Sequence, residues 1–268
     1  MRHRPAHAVT AVALAALAAG GLSACSAIGQ KSFEDDARVP QKVTSVRLDN
    51  SDGGVKVGTS TGVSTVTVHR RVSYRGDKPK GTSVRVVDGV LTLSGCGGDC
   101  GIDYVVTVPA ALPVSGGTSN GGLTLTGMSA VDVHTSNGRI TVDGASGPVK
   151  LLASNGEVRV KGTRGGVDAR TSNGGVTIET ATPQNIRART TNGSLSVTAP
   201  PAKYRVKADS SHGERKVAFA NDPSAAYRLD LSTTNGDLTV KQAGQRAGRT
   251  QARPVAGGRP QDRPDGQA

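Results

Sequence analysis

Tryptophan is absent from the 268-residue chain, and two phenylalanines and four tyrosines are its only aromatic residues. So few rings argue against nucleic-acid modules that stack bases and against aromatic sugar platforms. They also argue against an aromatic-cored sandwich. After residue 40 no run of Leu, Ala, Glu and Lys has a helical period, which excludes an α-rich fold. The apolar stretch 8–19 (AVTAVALAALAA) is too short for a stable membrane-spanning helix, and no other segment approaches the roughly 18 apolar residues required. Past residue 7, histidine occurs only at His69, His134 and His212, without metal-ligand spacing, and no cofactor is expected.

What the chain has instead is 36 glycines, 32 valines and a net charge of +12. β-Branched residues without aromatics suit many thin, repetitive strands. The first 24 residues read as a leader. Arg2 and Arg4 precede the apolar stretch, and Leu22-Ser23-Ala24-Cys25 follows it. This box resembles the lipobox of bacterial lipoproteins, which implies that Cys25 carries a diacylglycerol and becomes the first residue after cleavage. Two acyl chains anchor stably where one does not. Cys25 and residues 26–40, which are polar and charged, are expected to form the lipidated attachment and a short tether.

The body is repetitive. Ser/Thr-Asn-Gly recurs at Asn120, Asn137, Asn155, Asn173, Asn192 and Asn235, and Ser211-His212-Gly213 is a degenerate copy. The central residues step by 17, 18, 18, 19, 20 and 23. Alternating apolar pairs follow each true triplet, such as Ile140/Val142 and Val158/Val160. Others precede most of them, such as Val131/Val133 and Val149/Leu151. Period-two alternation marks strands with one buried face. Asn-Gly between such strands is first a hairpin signal, giving an antiparallel meander. The alternative is a solenoid in which each coil of about 18 residues stacks on the last. The one-residue drift between central copies favours stacking. The corners are expected to need left-handed backbone angles, with stacked Asn side chains bonding along the axis.

The pattern V-x-[VAL]-x-x-[ST]-N-G-x-[VIL]-x-[VIL], with the preceding Val108-Pro109 segment, resembles the bacterial putative-adhesin β-strand-repeat family (domain of unknown function 4097). The resemblance covers about residues 41–240. It implies an all-β, right-handed β-solenoid (β-helix), exported or membrane-tethered, with no catalytic residues assigned. Residues 41–113 lack the triplet but stay strand-like and are expected to cap the 114–240 repeats. Residues 241–268, rich in Gly, Pro, Gln and Arg, are expected to be a disordered basic tail.

Candidate chemistry is sparse. Cys96 and Cys100 bracket three residues, and outside the cytoplasm a disulfide is the default. Gly117-Thr118-Ser119-Asn120-Gly121 matches a nucleophile elbow in form, but a strand follows it where the elbow needs a helix. Asp49–Gly54 lacks the third and fifth ligands of a calcium loop. Stacking could align Asp143, Lys161 and Glu179, the arrangement a carbohydrate-active enzyme would exploit, yet alternating charge on one face is usually a solvated ladder. The expectation is a non-enzymatic, lipid-anchored protein on the outer face of the cell membrane. Its partners would be the membrane, through Cys25, and anionic wall polymers or an envelope protein drawn by the basic charge. Nucleic acid is not expected as a partner. An accessory sensor of envelope stress is the alternative role.

Overall fold

The computed structural model describes residues 29–244 and a two-residue strand at 10–11. Cys25, the rest of the 1–24 leader and the tail beyond residue 244 lie outside the described residues. The described chain is all-β. Its strands are β1 (Thr10–Ala11), β2 (Gln30–Val39), β3 (Ser45–Asp52), β4 (Val55–Thr59), β5 (Val66–Arg75), β6 (Val84–Val87), β7 (Val90–Ser94) and β8 (Cys100–Val108), followed by seven two-strand units. These units are β9 (Pro113–Asn120) with β10 (Leu123–Thr126), β11 (Ala130–Asn137) with β12 (Ile140–Asp143), and β13 (Val149–Asn155) with β14 (Val158–Thr163). Next come β15 (Val167–Asn173) with β16 (Val176–Thr180) and β17 (Ile186–Asn192) with β18 (Leu195–Ala199). The last are β19 (Tyr204–His212) with β20 (Arg215–Val217) and β21 (Tyr227–Asn235) with β22 (Leu238–Gln242).

Each unit sends one strand to each of two eleven-stranded sheets. Odd-numbered strands from β9 onward lie in the first sheet and even-numbered strands in the second. Pairing between units is parallel and residue-for-residue, as in Val131↔Val149 and Ile140↔Val158. Consecutive strands therefore do not pair, and the antiparallel meander is excluded for the repeats. The alternating pairs after and before each triplet all point inward, and Ile140, Val142, Val131 and Val133 are each at most 2% exposed. A buried Val or Leu contributes about 1.5–3 kcal/mol before chain entropy is subtracted.

The stacking order departs from sequence order at both ends. In the first sheet it runs β7-β3-β9 at one end and β17-β21-β19 at the other, and the second sheet follows suit with β8-β4-β10 and β18-β22-β20. Asn192 thus neighbours Asn235, and the degenerate unit holding His212 is outermost, instead of lying between them as its place in the chain suggested. The reason is visible in one row. Leu123, Ile140, Val158, Val176, Leu195 and Leu238 fill an inward position that Arg215 occupies in β20. An arginine there cannot be sandwiched between two units without burying an unpaired charge. At the end of the stack its guanidinium reaches solvent and donates to the Ala208 carbonyl, 3.1 Å away.

Every aromatic residue sits in this end structure. Phe33 and Tyr74 pack edge-on beside the β7/β8 end, where Tyr104 is also buried. Tyr204 meets Phe219 and Tyr227 at the other, with centroids 4.9 and 6.0 Å away. Inside the stack, layers about 4.8 Å apart leave room for aliphatic side chains, while an end unit has an open side that a ring can cover. The scarcity of rings is thus the composition of a stack with two ends.

Residues 30–39 correct the tether reading. They form β2, an antiparallel edge strand on β5, which is itself antiparallel to β8. The alternation was masked because an inward position holds a charge. Asp35, 9% exposed, takes two bonds from Arg70, Nε to Oδ1 at 2.6 Å and Nη2 to Oδ2 at 2.8 Å. Arg70 also donates to Ser83 Oγ at 2.5 Å. A buried pair persists only when bonded this completely.

Candidate functional site

The long, regular outer surface is the feature most able to meet a partner, and the corners hold it in place. Each corner asparagine donates its amide N–H to the amide oxygen of the unit before it. Asn137 Nδ2 reaches Asn120 Oδ1 at 2.9 Å, and Asn155 reaches Asn137 at 3.0 Å. The Asn173, Asn192 and Asn235 amides continue the series at 2.8 Å each. The ladder ends on a carboxylate, where Asn120 donates to Asp52 Oδ1 at 2.8 Å. Bonds in such a chain polarise one another. No corner asparagine has a positive φ; among the described non-glycine residues only Asp88 does. The expected left-handed asparagine is therefore corrected: the side chain, not the backbone angle, explains the residue.

Glycine is required at the corner by contact. A Cβ on Gly156 would overlap the carbonyl oxygen of Gly138, and the same collision recurs between neighbouring corners from Gly53 to Gly213. A second row, which the tripeptide hid, lies two residues before each asparagine. Buried Thr135, Thr171, Thr190 and Thr233 donate to the carbonyls of Gly121, Gly156, Gly174 and Gly193 at 2.8–3.0 Å. Ala153 interrupts this row, leaving no hydroxyl for Gly138. The recurrence of Thr at that offset was the available signal.

The straight rows this produces carry charge outward. On the first sheet Asp132, Lys150, Asp168, Arg187, Asp230 and Lys207 form one row of alternating sign. It neutralises itself in part, with Lys150 and Asp132 paired at 3.2 Å. Beside it the alternation fails. Arg170 and Arg189 are register neighbours, as are Arg228 and Arg205. Arg170 is satisfied by Asp168 at 2.9–3.0 Å, which pushes its guanidinium further up from the usual range. Arg187 and Arg189 share Asp230 Oδ2 at 3.7 and 3.5 Å, and Arg189 Nε has no partner. A cavity of about 610 Å³ opens here, lined among others by Lys150, Asp168, Arg187, Arg205, Arg228 and Asp230.

The other residues singled out in the sequence are dispersed. Cys25 lies outside the described residues. Cys96 and Cys100 are joined by a disulfide across the β7–β8 corner, with Cα atoms 5.7 Å apart. Gly117–Gly121 runs from β9 into a corner that leads to strand β10, with Ser119 exposed. Within Asp49–Gly54, the Asn50 amide is spent on the carbonyls of Gly53 and Ile102 at 3.1 and 2.9 Å, and Asp52 ends the asparagine ladder. His69, His134 and His212 fall on β5, β11 and β19. Asp143, Lys161 and Glu179 do line up in register, exposed on the second sheet, with no ion pair joining them among the described residues.

Comparison with known proteins gives one family and several distantly similar structures. The Toastrack DUF4097 family model matches residues 38–259. A putative cell adhesion protein from Clostridium sporogenes is similar at 13% identity, covering 79% of this chain and all of its own, with a TM-score of 0.34. A putative adhesin from Bacteroides fragilis is similar at 15% identity over 79% of this chain and 97% of its own, with a TM-score of 0.34. One from Parabacteroides distasonis is similar at 14% identity over 78% and 97%, with a TM-score of 0.36. No curated protein matches the chain.

Proposed function

The chain belongs to the Toastrack DUF4097 family, and on that premise we propose that it is a non-catalytic interaction module of the cell envelope, held to the outer face of the membrane by lipid on Cys25. The observation that carries this reading is the outer surface. Parallel register and the corner ladder present side chains in straight rows about 4.8 Å apart, a geometry suited to an extended, repeating partner. The seven units, together with β3/β4 and β7/β8, make nine layers that stack to roughly 40 Å. The parallel pairing of every second strand supports a solenoid winding, and the strong preference of parallel crossovers for one hand supports a right-handed one. Strand β2 begins five residues after Cys25, so the lipid would hold the β2 end within about 17 Å of the bilayer and the β19 end would project outward.

Two measurements test this. Mass spectrometry of the mature N-terminus should find an acylated Cys25; an unmodified terminus elsewhere removes the anchor. Wall fractions should retain the purified protein at low salt and release it at high salt, since exposed charges are screened over about 10 Å at 0.1 M. No retention at either salt removes the interaction role.

A further inference from the structure

The 610 Å³ groove on the first sheet holds more cation than the protein neutralises. Of its two carboxylates, Asp168 is taken by Arg170 and Asp230 is shared loosely between Arg187 and Arg189. Arg228 and Arg205 stand beside each other in register with no carboxylate within 4 Å among the described residues. Like charges directly opposite on neighbouring strands cost stability. Arg205 is nonetheless held there, its Nε donating to the Pro223 carbonyl at 3.0 Å, while the Arg228 backbone N–H is fixed by Asn185 Oδ1 at 2.9 Å. The Arg205 guanidinium is held through Nε by a neutral oxygen, which leaves its two Nη groups free, and the Arg228 guanidinium has no hydrogen-bond partner among the described residues. The pair comes from the register of β19 on β21, and the swapped stacking order puts Arg205 on the outermost strand of the sheet.

Resting on the envelope reading above, we propose that this groove binds phosphate or carboxylate groups of a linear wall polyanion, with Arg205 and Arg228 as the principal anion contacts. Guanidinium forks meet either group with two parallel bonds. A bilayer surface is the poorer match. The groove is concave, and it lies toward the end of the stack farthest from β2, where the lipid attachment begins.

The test uses the full chain and two labelled polymers, inorganic polyphosphate and polygalacturonate, read by fluorescence anisotropy across a salt series. Arg205→Gln with Arg228→Gln should weaken binding to at least one polymer tenfold or more and flatten its salt dependence. The control, Lys56→Gln with Lys161→Gln, removes two exposed cations from the second sheet and should change binding less than twofold. Thermal melting checks that both variants stay folded; if the groove variant does not, Arg205→Lys with Arg228→Lys, which keeps charge but loses the fork, should still weaken binding severalfold. Equal losses in both variants would mean diffuse charge and overturn the groove. So would no binding of either polymer at low salt, or binding only to anionic phospholipid vesicles. Retention of the groove variant by wall fractions at the wild-type level would remove this inference and leave the envelope role standing.

Discussion

Arg215 lies in register beside Leu238, holding in the terminal unit the inward position that leucine, isoleucine or valine holds in the units below. Its charge keeps the end of the stack wet. β19 and β20 are the outermost strands of the two sheets; the 218–226 segment covers part of the β19 edge, where Asn221 bridges Tyr204, and exposed edges of this kind invite a further chain unless something blocks them. Arg215→Leu should complete the apolar row at that end. The expected outcome is self-association, seen as a concentration-dependent rise in mass by light scattering, without loss of thermal stability. A variant that stays monomeric at high concentration would show that the 218–226 segment alone seals the end.

The hydroxyl row gives a gain-of-stability prediction. Thr135 and Thr171 flank Ala153 in register, and both fit a threonine at the equivalent place. Ala153→Thr should therefore fit and supply the missing bond to the Gly138 carbonyl. A typical intramolecular hydrogen bond nets about 0.5–1.5 kcal/mol. Denaturant unfolding should show that increase, and Thr171→Ala should show a loss of similar size.

Gly156→Ala asks the opposite question. The added methyl meets the Gly138 carbonyl, which is backbone and cannot swing aside. The cost should exceed about 3 kcal/mol, the large end of single-substitution effects. Gly98→Ala is the control, since nothing lies within 4 Å of its Cβ position and its φ is not positive. It should be close to neutral in the same unfolding assay.

These contrasts also show what was legible before any coordinates. The inward pairs were readable because Val, Leu and Ile alternate after every true triplet and apolar pairs precede most of them, a pattern that marks the repeat region as strands with one buried face. The stacking order was not, because repeat spacing says that units resemble one another and not which two touch. Arg215 held that information, at a position where a charge excludes an interior place. Strand β2 was missed because Asp35 breaks its apolar alternation, and its partner Arg70 is 35 residues away. The arginine pair, by contrast, was legible in principle: Arg205 and Arg228 precede His212 and Asn235 by the same interval, so stacking these consecutive repeats makes them neighbours, although the carboxylates around them could not be placed without the stacking order.

The Asp35–Arg70 pair carries a sharp asymmetry. Removing one partner leaves the other charge buried, which costs roughly 3–5 kcal/mol, whereas exchanging both for apolar residues can be neutral. Asp35→Ala should lower the unfolding midpoint strongly. Asp35→Leu with Arg70→Met should recover most of that loss, judged by denaturant titration. If the single variant is nearly neutral, β2 does not hold the N-terminal end of the stack.

Alkaline pH should open the same end. Burial pushes the Tyr104 hydroxyl up from 10.0 to about 12, outweighing the opposing effects of Ser83 and Arg70. Its O–H donates to the Ser94 carbonyl at 2.6 Å, a bond the phenolate cannot make. Because the folded value lies above the unfolded one, the neutral phenol stabilises the fold fully below pH 10, and that stability is lost as pH rises through about 12. The full loss is about 2–3 kcal/mol at 1.36 kcal/mol per pH unit. Unfolding titrations between pH 9 and 12 should show this decline in the wild type. Tyr104→Phe should be less stable at pH 8, having lost the hydrogen bond, and should decline less steeply above pH 10. Equal slopes for the two proteins would assign the alkaline loss to lysine deprotonation instead of Tyr104.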